Sequence, residues 1–197
     1  MYAIGYLSLP VVVLTGISTG LVLTVQAYVT LERVRGETMT GAMVSYSLVA
    51  ELAPVLTGLM LAGRVGSSIA AEIGTMKVTE QLDALRVMGT DPISYLVAPR
   101  FLACVLLLPL LTAICGAVGV GAADWLSGTV WDIDRGAYWD KIRIYVDSYD
   151  ILTGLLKGLV FGGLIALVAC RKGLHTDGGA AGVGAACTEG VVSASIL

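Results

Sequence analysis

AGRVGSSIAAEIGTMKVTEQLDALRVMGTDPISYLVAPR, residues 62–100, is a polar, charge-bearing stretch set between two apolar runs, each long enough to cross a bilayer. A loop between two spans needs only a handful of residues. This segment is much longer and carries helix signals of its own. Ser67 and Ser68 can cap a helix that follows them, and Glu72 lies in its first turns, favourable to the helix dipole. Ile69, Ile73, Met76, Leu82 and Leu85 recur at near-helical spacing, while Glu72, Lys77, Glu80, Gln81, Asp83 and Arg86 fill much of the remaining surface. The pattern predicts an amphipathic helix over 69–88, ended by Gly89, with Asp91-Pro92 capping and opening the next one. An ordered amphipathic helix between two spans is what a membrane protein uses to receive a partner.

The flanking runs make this a membrane protein. Hydrophobic residues are 56% of the 197 and charged ones 14%, well below the quarter usual in soluble domains. Residues 1–31 carry no charge, Thr38–Gly63 is interrupted only by Glu51, Phe101–Ala123 is uncharged, and Ile151–Cys170 holds only Lys157. A span needs about 20 apolar residues, so full transmembrane helices are predicted at about 4–31, 40–63, 101–123 and 151–170. A signal peptide is excluded, because the first run is too long, lacks a basic start and is followed by three more. The apolar run 190–197 is too short to cross but begins like a fifth helix. The expectation is an all-α integral membrane protein, 1–197 forming a single transmembrane domain of five helices. Its last span is incomplete, the helical region 64–92 lies between the second and third, and a preceding interfacial segment is missing. Tyr2 and Tyr6 are candidate interface anchors.

Charge does not orient the chain. With the amino terminus inside, the cytoplasmic loops hold Arg64, Lys77, Arg86, Arg100, Arg171 and Lys172, against Arg33, Arg35, Arg135, Lys141 and Arg143 on the other side. The net charge of −3 gives no reason to expect nucleic acid. Gly16-x-x-x-Gly20, Gly154-x-x-x-Gly158 and Gly158-x-x-x-Gly162 place small residues on one helix face. They fit either packing within the subunit, or a dimer seam or acyl-chain groove. Pro54 and Pro109 are candidate kinks. Cys104, Cys115, Cys170 and Cys187 form no C-x-x-C pair and read as packing residues, with no metal site. His175, the one histidine, sits in a glycine-rich loop, KGLHTDGGAAGVG. No P-loop lysine and serine or threonine follow those glycines, so no nucleotide site or other cofactor is expected in the chain itself.

Glu51 and Lys157 are the ionisable residues within the spans. A charge at the bilayer centre costs ~2.5–3.5 kcal/mol on insertion scales, so it normally faces a partner or a wet cavity. The two are therefore a structural ion pair between helices, or a lysine that snorkels to the interface, or the lining of a polar pocket.

The run GRVGSSIAAEIGTMKVTEQLDALRVMGTDP, followed by PR, closely resembles the signature of the MlaE-type permeases, the membrane subunits of ABC lipid transporters that serve MCE proteins. QAY at Gln26–Tyr28, ELAPVL at Glu51–Leu56 and the glycine-rich loop after the fourth span support the likeness, which runs through nearly all of the chain. The resemblance implies a second permease copy, and a coupling helix resting in a groove of a cytoplasmic ABC ATPase that binds the ATP. It further implies a STAS-domain protein on that ATPase, a periplasmic MCE-domain hexamer, and phospholipid as cargo. It places the chain in the bacterial inner membrane as a multi-pass protein, with 64–100 and 171–189 cytoplasmic and 30–40 and 124–150 periplasmic. By the same resemblance Leu23, Gln26, Leu31, Glu51 and Lys157 line the lipid cavity, and Glu72, Met76, Glu80, Asp83 and Leu85 serve coupling to the ATPase. Some members carry a basic residue just before the glutamate, where this chain has Ala50. Two other classes stand beside the lipid permease: an ion- or proton-coupled carrier using Glu51 and Lys157, which would not need the long cytoplasmic helix, and a scaffold without transport.

Overall fold

The computed structural model describes residues 5–33 and 35–196, so Tyr2 lies outside the described residues, while Tyr6 is exposed. Helices α1 (Leu9–Glu32), α2 (Glu37–Val78), α3 (Gln81–Val87), α4 (Ile93–Val130), α5 (Arg135–Tyr145), α6 (Ser148–Leu174) and α7 (Gly179–Ile196) account for most of the chain. Among the described residues α1, α2, α4 and α6 are long and apolar enough to cross a membrane. The chain is an all-α membrane protein.

Three boundaries differ from the sequence reading. The region 64–92 is not a separate helix that starts at Ser67. Gly66, which would precede such a helix, is helical, and no side chain caps there. Ser67 Oγ donates back to Gly63 O and Arg64 O of its own helix, so α2 runs on from the second span to Val78. A serine inside a continuing helix bonds the carbonyl one turn back instead of capping. The amphipathic stretch 69–88 is also not one helix. Thr79 closes α2, Glu80 adopts a left-handed conformation (φ 59°), and α3 follows in a new direction of the chain. Finally, the glycine-rich segment inside 171–189 is loop only as far as Gly178 and Gly179, whose positive φ values make the turn; α7 begins there, well before residue 190. The segment 124–150 likewise contains the end of α4 and all of α5, which Asp134 caps by accepting from Ala137 N–H at 3.1 Å.

The described residues form two compact units, one of 5–8, 58–108 and 159–196 and one of 9–57 and 109–158. In the first, Leu61, Val65, Ile69 and Ile73 of α2 are buried with Cys104, Leu108, Ile165 and Cys170. Gly173 of α6 faces Ile73 so closely that a Cβ would come within 2.8 Å of the isoleucine Cβ, and α7 packs along the 67–78 stretch of α2. In the second, Val12, Val44, Leu48, Leu111, Cys115 and Ala123 are buried. Gly16 and Gly20 lie directly on the backbone of α4 at Cys115 and Gly119, so this glycine pair serves contact between helices of one subunit. Tyr138 of α5 is fully buried, its ring over Gly41, where a Cβ would be 2.6 Å from Cε2. Burial raises the Tyr138 phenol above its ordinary pKa, and nearby Asp124 adds to this.

Asp91 caps the start of α4 as the sequence predicts, accepting from Ile93 N–H and Ser94 N–H at 3.3 Å and from Ser94 Oγ–H at 2.8 Å. These bonds, the Ser94 hydroxyl's first, hold its carboxyl below the usual 3.8.

Two outcomes follow from this geometry. Ser67→Ala should cost only a few tenths of a kcal/mol, whereas loss of a true N-cap would cost about 1 kcal/mol; thermal unfolding in detergent distinguishes them. A depressed carboxylate contributes stability above its unfolded pKa, and that contribution disappears as pH falls through the folded value. The protection of the Ile93 and Ser94 amides, measured against their intrinsic exchange rates, should therefore fall on acidification below the ordinary carboxylate range, and an Asp91→Asn chain should lack that step.

Candidate functional site

The in-span charges meet. Lys157 Nζ on α6 lies 2.7 Å from Glu51 Oε1 and donates to Ala50 O at 3.0 Å. Both acceptors sit in a π-turn of α2, Ser47–Leu52, where Ala53 N–H reaches back five residues to Leu48 O. The extra residue in this turn bulges the helix and changes which side chains share a face, a device common at functional sites. Two glycines of α6 bring the lysine close. Gly154 lies against Val49 O, where no Cβ would fit, and at Gly158 a Cβ would be 2.9 Å from Thr112 Oγ1 of α4.

The pair is not sealed. The Glu51 side chain is 62% exposed and that of Lys157 33%. Within the single subunit the pair is thus open on one side and not enclosed by protein all round. An ammonium has three donors, and two of those on Lys157 are used, so one remains for an anion approaching from the open side.

Of the α1 residues, Leu23 and Gln26 line a cavity of about 220 Å³ with Ala27, Thr30, Met43, Val44 and Ser47. Ser47 opens the same π-turn that carries Glu51. Leu31 is half-buried but does not line this cavity. Gln26 also faces a second, wider groove of about 670 Å³ between α1 and α4, lined almost entirely by apolar side chains including Val22, Val25 and Trp125. Tyr28 of the same helix as Gln26 stacks on Trp131, ring centroids 4.1 Å apart.

The residues assigned to coupling divide into two sets. Glu72 is engaged within the subunit, its carboxylate 2.9 Å from Arg100, whose side chain is only 18% exposed. Met76 and Leu85 are half-buried. Glu80 and Asp83 are exposed, Asp83 pairing with Arg86 at 3.0 Å on the surface of α3. Sequence reasoning missed the most prominent feature of this segment: Val87, 89% exposed, and Met88, 69% exposed, at the end of α3. Their signal was present, since two apolar residues directly before the helix-ending Gly89 fall outside the buried set of Leu82. The segment is braced by further ion pairs, Lys77 with Asp177 at 2.9 Å and Lys172 with Glu189 at 2.8 Å. The second holds the Glu189 carboxyl below its usual pKa, first through the hydrogen bond.

His175 is exposed, its Nδ1 2.9 Å from Arg171 O, and Cys104, Cys115 and Cys170 are buried free thiols. Among the described residues, no cluster of histidine, cysteine, aspartate or glutamate could hold a metal ion.

The profile of the family described as "Permease MlaE" matches residues 1–197. A probable ABC transporter permease protein of Rickettsia conorii is 44% identical over 98% of this chain and 75% of its own length. The intermembrane phospholipid transport system permease protein MlaE of Haemophilus influenzae is 39% identical over 100% of this chain and 76% of its own. The chloroplastic protein trigalactosyldiacylglycerol 1 of Arabidopsis thaliana is 40% identical over 94% of this chain and 53% of its own.

The open geometry of the pair has a consequence for mutants. Removing one partner of a dry ion pair leaves an uncompensated buried charge and costs about 3–5 kcal/mol, and removing both restores stability. Here Glu51→Ala should insert and fold with wild-type yield, and the double variant should be no more stable than Lys157→Ala, which also loses the donor to Ala50 O. Size-exclusion profiles and melting temperatures of the three chains check this; misassembled single variants beside a sound double variant would mean a sealed structural pair.

Proposed function

The chain belongs to the MlaE permease family, and we propose that it is the membrane subunit of an ATP-driven transporter passing phospholipid between the bacterial inner membrane and the outer envelope. The single observation that carries this reading is the half-open Glu51–Lys157 pair within transmembrane helices, in the same unit as the cavity lined by Leu23 and Gln26. A phospholipid has two apolar tails and an anionic head, and its carrier needs an apolar cleft with a few placed polar groups. Lys157 meets the phosphate as a point charge, Glu51 limits how deeply the anion settles, and Leu23 and Gln26 form the wall beside the tails, with Leu31 outside the cavity they line.

Net movement needs an energy source, which the subunit takes from a partner. A second permease copy completes the core, and a cytoplasmic ABC ATPase binds ATP and docks on residues 64–100. A STAS-domain protein joins the ATPase, and an MCE-domain hexamer receives or delivers lipid on the periplasmic face, where 30–40 and 124–150 emerge. Within the docking segment, Glu80 and Asp83 supply exposed charge, and Val87 and Met88 an apolar tip that fills a groove. Glu72, itself exposed, is held by the largely buried Arg100, and Met76 and Leu85 support the segment from its half-buried side.

Two measurements test this reading. Photoreactive side chains at Leu23 and Gln26 should crosslink copurifying phospholipid more strongly than one at Val118, and equal labelling at all three would mean bulk lipid contact only. Charge reversal at Glu80 and Asp83, or Val87→Asp with Met88→Asp, should release the ATPase while the permease stays folded in the membrane. An ATPase that remains bound and stimulated in both variants would overturn the docking assignment. Transfer that persists without the ATPase and follows a proton gradient would instead identify an ion-coupled carrier.

A further inference from the structure

We propose that Pro54 is a positioning residue for Lys157: by withholding an N–H from α2, it leaves a backbone carbonyl to hold the lysine ammonium. Ala53 N–H donates to Leu48 O, five residues back. The next N–H along the chain would close on Val49 O in the same register, or on Ala50 O in the ordinary α register. Residue 54 is proline and donates to neither.

Helix α6 attends to both carbonyls. Gly154 puts its bare backbone against Val49 O, and Lys157 Nζ donates to Ala50 O at 3.0 Å. Pro54 is itself fully buried, and hydrocarbon offers no other donor for an orphaned carbonyl. The ammonium is therefore anchored by main chain as well as by Glu51. A carboxylate on a side chain that is 62% exposed can swing away, whereas the Ala50 carbonyl is fixed by the helix. The backbone thus sets where the positive charge stands, and Glu51 modulates it. The structural claim stands on this geometry alone; its effect on transport rests on the reading of Lys157 as the headgroup contact.

The test compares three residues at position 54 in the assembled complex: proline, alanine, which restores the N–H, and lactate, a backbone ester that lacks both the N–H and the ring. The rate at which a membrane-permeant amine reagent modifies Lys157 is read by mass spectrometry, with Lys77 and Lys172 as internal standards. Pro54→Ala should raise the Lys157 rate severalfold, because the restored N–H competes for the carbonyl, while lactate should keep the proline rate. An alanine chain that labels like wild type, or a lactate chain that labels as fast as alanine, overturns the proposal. Where the alanine chain fails to assemble, lactate alone decides it: the proline rate supports the missing N–H as the cause, and a raised rate refutes it. Lipid transfer is the separate arm. Pro54→Ala should lower transfer in the wild-type background and add nothing to Lys157→Ala. Altered labelling with unchanged transfer keeps the positioning role and refutes the headgroup reading of Lys157.

Discussion

Hydrocarbon cannot hydrogen-bond, and most of this chain's architecture follows from that. Every backbone N–H and C=O within a span must find its partner inside the protein, at a cost of several kcal/mol for each one that does not. Long uninterrupted helices are the direct answer. Some hydroxyls in the spans do the same: Thr24 donates to Gly20 O at 2.6 Å and Thr15 to Val11 O at 2.9 Å, each closing on its own helix. Where the sequence breaks the ladder, at Pro54, a side chain from another helix completes it. The site is thus made from the same accounting that makes the span.

The rule also explains which features the sequence made legible. Apolar runs bounded by charge announce spans, because little else can be done with them, and α1, α2, α4 and α6 lie where those runs are. Glu51 and Lys157 were legible for the converse reason, that a charge in hydrocarbon needs a justification. Ser67 misled because a serine before an apolar pattern caps a helix that starts there, but bonds one turn back where the helix already runs through it. The glycines of 179–190 resembled a loop because glycine weakens helices by about 1 kcal/mol relative to alanine. Packing of α7 on α2 overrides that penalty, and Gly74 of α2 allows the approach, with Val183 only 3.4 Å from where its Cβ would stand. The Ala50 carbonyl was invisible, since its availability depends on a helical register that no side chain reports.

Within the coupling segment, rigidity and exposure are divided between neighbouring residues. Glu72–Arg100, Lys77–Asp177 and Lys172–Glu189 tie α2 to α4, to the turn before α7, and α6 to α7. Exposed pairs of this kind are worth little singly, but together they restrict how the end of α2 can move. Beyond Thr79 the restraint lessens, and the left-handed Glu80 gives α3 its own direction. Under the proposed docking, a push delivered at Val87 and Met88 would be received by a short helix and passed to one held by these ion pairs. Amphipathic periodicity alone, which treats 69–88 as a single rod, does not contain that distinction.

The Tyr138 ring over Gly41 gives the protein an optical gauge of its own. An exposed tyrosine ionises near 10, whereas burial holds the Tyr138 phenol neutral well beyond that. A group whose folded pKa is raised favours the folded state less and less as pH climbs past its unfolded value. In alkali, ultraviolet absorbance by phenolate should thus grow in two stages, the later one marking the moment α5 lifts from its seat. Whatever presses on α5 from the aqueous side, or loosens it, would shift that second stage, and the chain would report the event without a dye.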